Sequence, residues 1–290
     1  MPDNLLKGAG FILLSEAFFV LMGTQIREVS QGLSNEMIVF FRNLIGLQII
    51  IPLVLRYGWR GLKTKQPHLH LLRGLAGVSA MYCFFYAIAN MPLANAMILK
   101  MSAPLFIPLI AFIWLKERLS WLIGLVVLLG FSGVVLIIKP DLAGMDTVAI
   151  IAVAGGFFAA IAKSTVKFLT HDDKPASVVF YFALTALTVS SLPALLHWQT
   201  PNATQFWQLI LLGLLASGGQ FFMTLAYSYA PASQISHFSY SSILYASLAG
   251  WLLWGEWMDG WAWLGAGLVV LSGVLLLKTK KQIKPVETII

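Results

Sequence analysis

Ten runs of roughly 20 mostly apolar residues, joined by short polar connections, occupy most of the chain. Each is about the length a helix needs to cross a lipid bilayer. The expected spans are 7–27, 35–56, 69–90, 92–115, 120–138, 146–168, 176–196, 205–228, 231–254 and 260–278. A water-soluble globule cannot cover such runs, because only 11% of the 290 residues are charged, against about 25% in ordinary soluble domains. Disorder is excluded as well, since 59% of the residues are apolar and disordered chains are polar. The single cysteine, Cys83, rules out an intramolecular disulfide framework and any multi-cysteine metal site. The first run is longer than the apolar core of a cleavable leader and carries Glu16 in its middle, so it reads as a span.

The runs repeat. Pro92 opens the fourth and Glu117 ends it; Pro231 opens the ninth and Glu256 ends it, each 139 residues further on. The same offset pairs Phe18 and Phe19 with Phe157 and Phe158, Gly74 with Gly213, and Ala87 with Ala226. One extra residue later, Trp121 pairs with Trp261 and Ser132-Gly133 with Ser272-Gly273. The fold class is therefore an all-α polytopic membrane protein of ten transmembrane helices, built as two five-helix repeats, 1–140 and 141–290. Five is odd, so the second repeat must enter the membrane inverted. Inverted repeats place a solute site near the bilayer midplane between the halves.

Charge and tryptophan support this partition. With the N-terminus taken as cytoplasmic, fourteen of the 19 Lys and Arg residues fall on that side and two, Arg27 and Lys139, on the other. Positive charge collects on the cytoplasmic side, so both termini are expected inside. This also accounts for the net charge of +7 without nucleic acid, for which no basic groove with interleaved aromatics is visible. All ten tryptophans, from Trp59, Trp114 and Trp121 to Trp263, lie at or near a span end, the preferred interfacial position.

Ionised groups inside a bilayer cost at least about 2.5–3.5 kcal/mol and mark functional positions by default. Four are expected inside spans: Glu16, Arg42, Lys100 and Lys163. At the repeat offset they face Gly155, Tyr181, Ser239 and Thr24, so none is required by the shared fold. By contrast, Glu117 and Glu256 correspond and read as structural. Lys163 is near enough to one end to snorkel, and Arg42 could reach the other. Glu16 could pair with Lys100 or Arg42, or carry a proton.

Pro104 follows Lys100 by four residues and Pro108 follows Pro104 by four. A proline cannot donate to the carbonyl four residues back, so the fourth span should kink at mid-depth, beside a cavity that tolerates freed backbone. The ninth span crowds Gln234, Ser236, His237, Ser239, Tyr240, Ser241, Ser242, Tyr245 and Ser247 into fourteen residues. On a regular helix His237, Ser241 and Tyr245 share a face. That face suits hydrogen bonding to a polar solute, although serines also mediate helix contacts. Tyr82, Tyr86 and Tyr227 could supply aromatic walls. Asn90 and Asn95 are expected as turn and cap residues, and the glycines of the fifth and tenth spans as close-packing positions or a dimer surface. The five histidines are scattered, mostly near loops, and no Walker A, HExxH or GxSxG motif is present. Neither an enzyme nor a cofactor is indicated.

The chain resembles the EamA-type branch of the drug/metabolite transporter superfamily. The matching stretches are FFRNLIG (Phe40 to Gly46), LLRGLAG (Leu71 to Gly77) and FFYAIANMPLANAMILKMSAPLFIPLIAFIWLKERLS (Phe84 to Ser120). The second half echoes them in TLAYSYAPASQISHFSYSSILYASLAGWLLWGEWM (Thr224 to Met258). The resemblance implies a secondary carrier of amino acid-like compounds, other metabolites or drugs. Some bacterial members are associated with S-adenosylmethionine uptake. It also implies a cavity lined by the first, third, fourth, sixth, eighth and ninth helices, on which Glu16, Tyr82, Tyr86, Lys100, Lys163, Tyr227, His237 and Tyr240 fall. Lys100 departs from the family's usual apolar run.

The expectation is an alternating-access carrier of a small polar or amphiphilic solute in a bacterial inner membrane, monomeric or dimeric. A proton or counter-substrate is its possible partner besides the solute and the lipid bilayer. The rival readings are a membrane-embedded enzyme acting on lipids, which needs a clustered catalytic set, and a non-transporting scaffold, which needs no polar cavity.

Overall fold

The computed structural model describes residues 5–57, 62–115, 121–138, 147–173, 175–229 and 235–280. Trp59, Glu117, Lys139, Pro231 and Gln234 lie outside these. The described residues form helices and no strand. Eight of the ten expected spans are single helices: α1 Leu5–Val29, α2 Asn35–Tyr57, α3 Pro67–Asn90, α6 Trp121–Ile138, α7 Thr147–Asp172, α8 Pro175–Leu196, α9 Ala203–Tyr229 and α11 Gly260–Lys280. Seven of the described helical segments are long and apolar enough to cross a membrane. The surface carrying the start of α1 is called the N face below, and the other the opposite face.

Two spans are interrupted. The fourth divides into α4 (Leu93–Lys100) and α5 (Ala103–Leu115), with a tight turn in which Met101 N donates to Ile98 O at 2.9 Å and Ser102 N to Leu99 O at 3.0 Å. Pro104 has no N–H to offer Lys100, so the α-helical ladder stops there. The ninth runs through a 3-10 turn, Ser236–Tyr240, into α10 (Ser241–Trp254). Shifted by 139 residues, the break at 100–103 falls at 239–242, at the junction of that turn with α10. The two interruptions are repeat equivalents.

Helix pairing follows the repeat too. α1 packs on α9 and α3 on α7, pairs that interchange between halves, while α2·α8, α4·α10 and α6·α11 each map onto themselves. The contacts are short-range and specific. Ser15 Oγ donates to Gly219 O at 2.7 Å across α1·α9. Asn43 Nδ2 donates to Ser190 Oγ at 3.3 Å across α2·α8. In α6·α11 a Cβ on Gly133 or Gly265 would lie 2.6 Å from the other's carbonyl oxygen, so the glycines expected as packing positions bring these two backbones together within the chain. Gly124 and Gly267 face open space instead.

The most buried element is α4, in which Ala96, Met97, Ile98 and Leu99 are all fully enclosed. A short helix wrapped in protein on every side is where interrupted backbone is tolerated at membrane depth. Its burial delivers Lys100 to the interior of the bundle and not to lipid.

Candidate functional site

Glu16 lies on the buried side of α1. Its polar neighbours are Ser239, Lys100 and Lys163. Its Oε2 is buried with no hydrogen-bond partner among the described residues. Lys100 and Ser239 are repeat equivalents, so one carboxylate has neighbours on both interrupted spans at corresponding positions. The Lys100 ammonium sits over two aromatic rings, 4.8 Å from the Phe84 centroid and 5.2 Å from that of Phe19. The negative faces of those rings partly replace the hydration the ion has lost.

Lys163 lies on α7, which passes directly behind the break in the fourth span. A Cβ at Gly156 would collide with Ser102 Oγ, and Lys163, seven residues on, lies within about 20° of Gly156 around the helix. Ile150 and Phe157 are the exposed apolar residues of α7, and they point more than about 100° away. The exposed Lys163 side chain therefore lies on the side of α7 that faces the fourth-span break, away from Ile150 and Phe157. Nine residues separate it from the end of α7.

The other sequence candidates are distributed. Arg42 does not join Glu16; its Nη1 donates to Asn43 Oδ1 at 3.1 Å. Its electrostatic neighbour is Arg73. The Tyr82 hydroxyl is buried without a partner. Tyr86 lines a cleft of about 570 Å³ at the opposite face, with Arg27, Asn35 and Glu36. Tyr240 presses its hydroxyl against Gly273 of α11, a packing role, and Tyr245 packs against the main core. Ser241 Oγ is buried and unpartnered. The Tyr227 and His237 side chains lie outside the described set. The shared face expected for His237, Ser241 and Tyr245 assumes a regular helix, whereas the backbone at His237 is a 3-10 turn of three residues per turn. Pro104 sits at the fourth-span break, and Pro108 lies inside α5. Asn95 is not a cap, since it lies within α4 with its Oδ1 buried and unpartnered.

Arg73, inside the expected third span, was not singled out from the sequence. It lies nearly two turns inside α3, with its guanidinium 4.1 Å from the Phe182 ring centroid and its Nε buried without a partner among the described residues. It interacts electrostatically with Lys163. The apolar residues on both sides of it, from Leu71 to Ala76, were the available signal.

Each surface is tied across the repeat boundary. At the opposite face Arg27 pairs with Glu256 at 2.5 Å and lies 4.4 Å from the Trp254 ring centroid. Trp254 Nε1 donates to Glu28 Oε1 at 3.1 Å. Gly255, at φ +66°, turns the chain there, and Leu93 N donates to Glu256 Oε2 at 3.3 Å. Glu256 thus ties three elements together. At the N face Asp173 Oδ2 lies 2.7 Å from His70 Nε2 and accepts from Thr64 Oγ1 at 2.5 Å, while Tyr181 Oη donates to Leu62 O at 2.9 Å. His70, read from sequence as peripheral, is only 2% exposed. No cluster of His, Cys, Asp and Glu among the described residues could hold a metal ion.

The model of the EamA-like transporter family matches residues 6–139 and 147–278. The pseudopaline exporter CntI of Pseudomonas aeruginosa is 32% identical, over 96% of this chain and 99% of that protein. A riboflavin transporter of Vibrio cholerae is 30% identical, over 96% and 95%. An S-adenosylmethionine uptake transporter of Rickettsia bellii is 25% identical, over 95% and 94%. A solved structure, titled only as a crystal structure of a protein, superposes with a TM-score of 0.63 at 19% identity over 96% of this chain and 98% of that one. That last likeness speaks to the fold alone. The chain belongs to the EamA-like transporter family, a family of transporters and not of enzymes.

Proposed function

We propose that this EamA-like transporter is a secondary carrier that moves a small polar or amphiphilic organic metabolite by alternating access, with its site between the two interrupted spans. One observation carries the reading: the buried Glu16 has Ser239 of one interrupted span and Lys100 of the other as its polar neighbours. Discontinuous helices at mid-depth are the usual solute site of carriers built from repeats. Lys100 attracts a carboxylate of the solute. Glu16 meets an amine or takes up a proton, and Phe19, Phe84 and Tyr82 flank the apolar part. The two repeats, 1–140 and 141–290, rock about this site. The surface ties of Arg27 with Glu256 and of His70 with Asp173 close its two ends in turn. The relatives are named for riboflavin, S-adenosylmethionine and pseudopaline, and amino acid-like compounds or S-adenosylmethionine are the first candidates here.

The bias of basic residues supports cytoplasmic termini in a bacterial inner membrane, with the N face inside. The protein acts as a monomer or a homodimer through the open glycines of α6 and α11. Uptake and efflux in proteoliposomes, against a metabolite panel at two imposed pH gradients, tests the reading. Transport should fall sharply in Glu16→Gln and Lys100→Ala. Wild-type rates in both, with normal insertion, refute the site. A rate unchanged by the gradient removes proton coupling.

A further inference from the structure

The charges buried among the spans do not balance. Among the described residues, Arg42, Arg73, Lys100 and Lys163 lie within the spans, and Glu16 is the carboxylate between them. The remaining described acids lie at the surfaces: Glu256 is tied to Arg27 and Asp173 to His70. No interior cation has a carboxylate within ion-pair distance. Lys100 rests on Phe19 and Phe84, Arg73 on Phe182, and Arg42 on a neutral amide oxygen. Aromatic faces and amides stabilise a buried cation far less than a counter-ion does.

The four cations also form a row. The helices that carry them pack in series: α4, with Lys100, on α7, with Lys163; α7 on α3, with Arg73; and α3 on α2, with Arg42. Neighbouring like charges in a low-dielectric interior raise one another's energy, and a chain keeps such a row only where something anionic joins it. Glu16 offsets one positive charge and leaves a surplus. A compact single anion can neutralise one end of the row but cannot reach along four helices.

We infer, resting on the carrier reading above, that the transported solute is a multivalent organic anion carrying at least two separated carboxylates, one held at Lys100 and the next at Lys163, with Arg73 and Arg42 beyond. The proposal narrows the candidates. S-adenosylmethionine, with a sulfonium and an ammonium against one carboxylate, is repelled by the row, and an uncharged solute gains nothing from it. Lys163, whose side chain is exposed on the side of α7 facing the fourth-span break, receives the second carboxylate. The aromatic faces beside Lys100 receive the apolar body once the ammonium turns from them to the solute.

A ladder of probes sharing one ring reads the charge directly. Benzyltrimethylammonium, benzamide, benzoate, benzene-1,3-dicarboxylate and benzene-1,3,5-tricarboxylate are titrated calorimetrically into the full chain in lipid nanodiscs. Affinity is expected to rise about tenfold for each of the first two carboxylates, with no heat from the cation. Lys163→Gln removes the gain from the second carboxylate and keeps that from the first. Lys163→Arg restores it, and the exposed Lys65→Gln leaves the ladder unchanged. A flat ladder, no binding of any anion, preference for the cation, or a ladder insensitive to Lys163→Gln and Lys100→Gln alike each overturns the inference. If S-adenosylmethionine or riboflavin is then still carried in proteoliposomes and that transport is lost in Glu16→Gln, the carrier reading stands and the polyanion alone falls.

Discussion

The fourth and ninth spans have interruptions at corresponding depth with different chemistry in each. In the fourth, Lys100 precedes a turn and Pro104 follows it; in the ninth, Ser239 and Ile243 hold those places. The ninth is interrupted all the same. Proline is therefore sufficient to explain one break and unnecessary for the other. The break belongs to the repeat, and each half then equips it separately: one with a cation, the other with a hydroxyl. Glu16, whose repeat equivalent is Gly155, connects the two.

This contrast can be tested by removing its parts one at a time. The largest effect should come from the parts present in one half alone. Lys100→Met or Glu16→Gln leaves a buried charge without its counterpart, and initial uptake per inserted carrier should drop about 100-fold. Equal rates would mean that the asymmetry is ornamental. Next is the room behind the break. Gly156→Val drives a side chain into Ser102 and should cost about 1–3 kcal/mol, read as a lowered unfolding temperature in detergent. Ala17→Gly at the equivalent place in the first half should cost no more than about 1 kcal/mol, and similar losses at both would erase the distinction between a tight break and a loose one. Ser239→Ala removes a polar neighbour of Glu16 and should slow transport about fivefold. Pro104→Ala should matter least, less than about threefold in rate. Hydrogen exchange over 100–104 should stay fast, because the turn persists; protection there would make the proline the cause after all.

The repeat, the spans and the interior carboxylate were legible because a charge inside a run of apolar residues stands out one-dimensionally. Glu16, Lys100 and Lys163 stood out on that ground and lie together. Arg73 did not, because it stands near the start of its run, where a charge reads as interfacial. His70 and Asp173 stand 103 residues apart, and Arg27 and Glu256 are still more distant. Nothing local announces either pair, since each needs the halves brought together. The ninth-span face was misread because a period of 3.6 was assumed where the backbone winds more tightly. Arg42 was grouped with Glu16 by depth alone, and depth says nothing about the direction a helix faces.

The glycine seam between α6 and α11 has a mechanical consequence. Where Gly133 and Gly265 meet, backbone lies on backbone, and no side chain is interposed that could rotate to absorb a displacement. A seam of that kind either holds or parts completely. In the proposed rocking of the repeats, this seam is expected to serve as the fulcrum while α1, α3, α7 and α9 swing. Spin labels across the seam should keep one separation through the cycle, while pairs placed between α1 and α3 alternate between two.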